Sequence, residues 1–60
     1  MYEMYKMLSN KNLIKRYNKL KQELFVKDRN NDESIKYEIY KKMITIKYIL
    51  IEERKITWFD

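Results

Sequence analysis

ESIKYEIYKKMITIKYILIEER, residues 33–54, decides the fold of this chain. Its apolar residues recur as Ile35, Ile39, Met43, Ile46 and Leu50, at spacings of four, four, three and four. That interval is the period of a helix, whereas a strand facing one core alternates at two. The spacing predicts an amphipathic helix from about Glu33 to Arg54. The same stretch carries a competing expectation. Ile44 to Ile51 is rich in β-branched residues, and Ile56 to Phe59 follows the polar run Glu52-Glu53-Arg54-Lys55, a pattern that also suits a β-hairpin. The length of the helical register from Ile35 to Leu50 favours the helix.

Upstream, Asp28-Arg29-Asn30-Asn31-Asp32 is the one clear loop, because Asn and Asp tolerate left-handed backbone and bond their own main chain. Asn31 or Asp32 can cap the helix that follows, and Glu33 in its first turn suits the helix dipole. Before the loop, Leu13, Tyr17, Leu20 and Leu24 recur at spacings of four, three and four, with Ile14 and Phe25 widening the stripe. This predicts a second amphipathic helix from Asn10 to about Lys27. Ser9 stands at its N-cap, with Leu8 and Leu13 at the two positions of a hydrophobic staple. Glu23 and Lys27 are spaced to pair near its end. Met1 to Leu8 forms a short lead whose polar residues, Glu3 and Lys6, lie three apart, which fits a short helix. The tail comprises residues 55–60. Two helices joined by a short loop pair antiparallel. The expected fold is therefore all-α, one helical-hairpin domain over residues 1–60 with short flanking segments.

Composition narrows the classes of function. Sixty residues make one domain at most, and a chain this short is marginally stable unless a staple, a partner or a second copy adds buried area. Cysteine and histidine are both absent, which removes disulfides, thiolate metal sites and the commonest catalytic bases. No glycine is available for a phosphate-cradling loop. The adjacent carboxylates Glu52 and Glu53 diverge by about 100° on a helix, so they read as a solvated face. Asp28, Asn30 and Asp32 copy the first ligands of a calcium loop, but Glu33 stands where that loop needs glycine and Ile39 where it needs glutamate. No catalytic, cofactor-binding or metal-ligating residue is expected, and the chain reads as a binder. No stretch is apolar enough to span a bilayer, and Met1 to Leu8 lacks the apolar run of a signal peptide, so the expected location is the cytoplasm. The crowding of Lys, Ile, Asn and Tyr fits an AT-rich coding sequence, as in low-GC bacteria and their phages or plasmids.

Two surfaces are candidates for binding. Tyr37, Tyr40, Ile44, Tyr48 and Ile51 occupy an arc roughly opposite the Ile35–Leu50 seam, so the second helix is apolar on two sides. This arc is either covered by the lead or the tail, or it is a docking face for a larger protein or for another copy of the chain, and its tyrosines suit an interface. The other candidate is basic. Residues 1–31 hold eight Lys/Arg and three Asp/Glu, and residues 32–60 hold six of each, so the formal charge of +5 sits entirely in the first half. Lys11, Lys15 and Lys19 share a helical row, with Arg16 to one side and Lys21 close by. This row is either a solubilising outer face or a contact for nucleic-acid phosphates. No helix-turn-helix, zinc finger or aromatic RNA-binding motif accompanies it.

The run Leu8-Ser9-Asn10-Lys11-Asn12-Leu13-Ile14-Lys15-Arg16-Tyr17 resembles the opening of the sporulation checkpoint inhibitor family Sda, with Leu8, Ser9, Leu13, Ile14 and Tyr17 at the matching positions. The resemblance covers about ten residues. It implies a helical hairpin that inhibits a sensor histidine kinase by docking on its dimerisation helices. This chain is longer than that family at both ends and in the hairpin, and its second helix does not match.

Overall fold

A computed structural model describes residues 2–29 and 33–58. The chain forms a short helix α1 (Tyr2–Lys6), a long helix α2 (Asn10–Arg29), and a third helix α3 (Glu33–Tyr48) that runs on into a π-helical turn, Ile49–Glu53. Helices α2 and α3 pack along each other, and α1 packs against α3. Contacts at the two ends of the hairpin fix its direction. Lys36 near the start of α3 bonds Asp28 near the end of α2, at 2.8 Å. At the opposite end Arg54 bonds Asn10, also at close range (2.7 Å). The pair is therefore antiparallel, the all-α hairpin expected from the spacing. No strand occurs among the described residues, so the β-hairpin expectation for residues 44–59 is not met.

Helix α2 starts as its sequence dictates. The Ser9 hydroxyl accepts from the backbone N–H of Asn12 at 3.2 Å, satisfying one of the donors that a helix start leaves open. The Ser9 carbonyl accepts from Leu13 at 2.9 Å. Leu8 packs against the cluster that holds Leu13, as a staple requires. The helix continues through Asp28 and Arg29, two residues beyond its expected end. Among the described residues no ion pair joins Glu23 and Lys27, spaced though they are for one. The acid that matters near this end is Asp28, which bonds across to Lys36 together with Glu33. The expected caps Asn31 and Asp32, and the loop tip around Asn30, lie outside the described residues.

The core is concentrated at the end of the hairpin where α1 and the π turn lie. Tyr5, Leu13, Tyr17, Ile46, Ile49 and Leu50 form one buried cluster, with Tyr2, Leu8, Ile14, Leu20, Met43, Ile51 and Ile56 packed around it. Ile39 is buried as well. The seam residues Ile46 and Leu50 are thus inside, and Met43 is half-buried. Two seam assignments fail towards the loop. Ile35 is exposed, and Phe25 is 63 % exposed with the Arg29 guanidinium 4.9 Å over its ring. The reason is positional: both lie beyond the reach of α1, which supplies the third wall of the core only at the other end.

The turn that continues α3, Ile49–Glu53, also differs from the expected α-helix. The Arg54 N–H donates to the Ile49 carbonyl five residues back, at 3.0 Å, which widens the turn. Ile56 N–H then reaches the Leu50 carbonyl at 2.7 Å. Lys55 between them takes a left-handed conformation, φ 56°. This is the geometry of a helix C-cap built over a π turn, with Lys55 where glycine is usual. It turns Ile56 back onto the core. It also accompanies the clasp made by Arg54, whose guanidinium donates to the Lys6 carbonyl at 2.8 Å and to Asn10. One side chain thereby ties α1, α2 and the end of the π turn together.

Candidate protein-docking face

The outer side of α3 is built by the same periodicity that builds its inner side. Residues three and four apart stack on one face, so Tyr37, Tyr40, Ile44, Tyr48 and Ile51 form a line along the rod. Tyr37 is 63 % exposed, Tyr40 48 %, Ile44 65 % and Tyr48 54 %. Ile51 differs, being half-buried against the core. Ile44, Tyr48 and Ile51, with Lys47 and Glu52, line a shallow depression. Tyr37 and Tyr40 lie outside it, towards the loop. The five residues are thus placed on one face, and three of them share one concavity.

The flanking segments cover this face only at its end. Tyr2 brings its ring to within 6.4 Å of Tyr48, tilted at 59°. Its hydroxyl donates to the Glu53 carboxylate. That hydrogen bond, followed by burial and the Glu53 charge, pushes the Tyr2 pKa up to about 12. Tyr5 turns away into the core beside Tyr17, and Ile56 packs there from the other end of the chain. Both flanks therefore fold back, yet Tyr37, Tyr40 and Ile44 stay open. Charges border the strip. Lys41 sits 5.2 Å over the Tyr37 ring and 3.6 Å from Glu38. Lys36 is held protonated above the usual lysine range by its hydrogen bonds to Asp28 and then Glu33.

The basic residues divide between two sides of α2. Lys11, Lys15 and Lys19 are exposed in a row. Arg16 and Lys19 line two neighbouring depressions between α2 and the rest of the molecule. Lys21 lies apart, 5.9 Å over the Tyr17 ring, and lines a different depression with Phe25 and Val26. One residue was not legible in the stripe. Lys42 of α3 lines the same depression as Arg16 and Lys19, and only the pairing of the helices brings it there. Among the described residues no group of His, Cys, Asp or Glu could hold a metal ion, and no helix is long and apolar enough to cross a membrane.

No family model matches this chain, and comparison with curated proteins and with solved structures found no match.

Proposed function

We propose that this chain is a small non-enzymatic protein-binding module that acts in the cytoplasm. It docks through the outer face of α3 on a larger protein and inhibits or modulates it. The observation that carries this reading is the exposure of Tyr37, Tyr40, Ile44 and Tyr48 in one line on a helix whose opposite side is already committed to the core. Contiguous apolar surface of this kind costs free energy in water, and it is retained where a partner covers it. Tyrosine suits the task because its ring is large, loses little rotamer freedom and keeps a polar tip at the rim. The half-buried Ile51 and the ring of Tyr2 give the strip a fixed end against which a partner helix or edge can be registered.

Regulation by occupancy fits a chain with neither His nor Cys. The resemblance of Leu8 to Tyr17 to the opening of the kinase-inhibitor family Sda points the same way. The Lys-, Ile-, Asn- and Tyr-rich composition suits a regulatory small protein of a low-GC bacterium or its phage. Capture from source cells with the tagged protein, washed at rising salt, tests the reading. A partner held by the apolar face stays bound at high salt, since burial of apolar surface is not screened. Release of all captured protein at moderate salt would contradict it.

A further inference from the structure

The depressions on the other side of the hairpin form one groove. The first is lined by Leu8, Asn12, Lys15, Arg16 and Lys19. The second includes Arg16 and Lys19 again, with Tyr5, Glu23 and Lys42. Four cations therefore border the groove, three from α2 and one from α3, against a single carboxylate. Among the described residues, none of Lys15, Arg16, Lys19 and Lys42 enters an ion pair or a side-chain hydrogen bond. The neighbouring cations elsewhere behave differently: Lys36 and Lys41 have carboxylates beside them, and Arg54 has two oxygens. Four like charges gathered with one counter-charge create a positive field that an anion relieves.

We propose that this groove binds the phosphate backbone of duplex nucleic acid, without reading its bases. Lys15 and Lys19 lie four residues apart along α2, about 6 Å, a spacing on the scale of successive phosphates in a strand. Arg16 and Lys42 form a second rail across the groove, and the forked guanidinium of Arg16 suits a phosphate. The apolar residues in the lining argue against an acidic protein as the ligand. Tyr5 is buried and Leu8 and Leu20 are half-buried, so no exposed anchor of the kind that holds a protein partner is offered. The same absence of an open aromatic ring removes the stacking platform that unpaired bases use. The groove is independent of the docking face, because Lys42 lies two residues before Ile44 and so about 200° around the helix.

Fluorescence anisotropy of a short labelled DNA duplex of mixed sequence tests the proposal on the intact chain. Four phosphate contacts predict binding that weakens about 100-fold between about 50 and 200 mM salt. Arg16→Gln and Lys42→Gln each reduce the slope of log affinity against log salt by about one. Lys21→Gln, on the other side of α2, leaves the slope unchanged. All three side chains are exposed, and unchanged circular dichroism confirms that each variant is folded. No binding at about 50 mM salt would overturn the proposal. So would a Lys21→Gln effect equal to that of Lys42→Gln, which would mean diffuse charge and no groove. Displacement of the duplex by polyglutamate at equal charge concentration would overturn it in favour of an acidic protein ligand.

Discussion

Single residues at the C-terminal cap and at the α1 contact carry the sharpest local consequences. Lys55 holds φ 56° with a Cβ that clashes in that region. A left-handed conformation costs a non-glycine residue about 1–2 kcal/mol. Glycine relieves this cost but loses about 0.5–1 kcal/mol of chain entropy on folding. Lys55→Gly is therefore expected to stabilise the protein by about 0.5 kcal/mol, a rise of a few degrees in Tm for a domain of this size. Lys55→Ala keeps the Cβ and is expected to show no such rise; equal behaviour of the two variants in thermal melts would contradict the cap geometry. Tyr2 makes a second prediction. Its folded pKa is raised from 10.0 to about 12 by the bond to Glu53. A raised pKa favours the protonated, folded form, so this contribution is complete below pH 10 and is lost as pH rises towards 12. The stability difference between the wild type and Tyr2→Phe, followed by denaturant unfolding across that window, is expected to be constant up to about pH 10 and to shrink above it. A difference that stays flat through pH 12 would mean that the phenol is not bonded to Glu53.

At the scale of elements the hairpin has a tight end and an open end. Ile46, Ile49 and Leu50 are fully buried, whereas Ile35 and Phe25 are exposed. Ile46→Ala is expected to cost about 2–5 kcal/mol, enough to unfold much of a chain this small. The milder Ile46→Val is expected to cost about 1 kcal/mol and Ile35→Val close to nothing, as read from urea midpoints. Equal costs for the two valine variants would contradict the placement of the core. The helices themselves were legible because their signals are local. Leu13 to Leu24 and Ile35 to Leu50 repeat at the helical period, and Ser9 caps where a hydroxyl was needed. What was not legible depends on contacts distant in sequence. Ile49 belongs to neither apolar arc, yet the wide turn and the pairing bury it. The burial of Tyr5 requires α1 to fold onto α2 and α3, which no spacing within residues 1–8 encodes. The π turn has no marker residue, and the contacts that accompany it, the Arg54 clasp and the packing of Ile56 on the core, are distant in sequence. On the surface, the outer arc of α3 was readable from the same period, whereas Lys42 joined the basic residues only through helix pairing.

For the whole molecule, one helix is shared between two tasks. The inner side of α3 holds the fold, and the outer side stays open towards the loop, since among the described residues the Tyr2 ring meets it only at Tyr48. That separation makes binding and folding independently alterable. Tyr40 and Ile44 lie mid-strip, 48 % and 65 % exposed, where a partner excludes water best. Changing side chains this exposed alters stability little. The direct measurement is therefore a paired one on the double variant Tyr40→Ser, Ile44→Lys: helical circular dichroism and thermal melting of the free protein, and capture of the partner from source cells compared with the wild type. Unchanged helicity and melting are expected together with loss of the captured protein, whether that is a second copy or a larger target. Loss of helicity would place this strip in the core, and retained capture with intact helicity would remove the outer face of α3 from binding altogether.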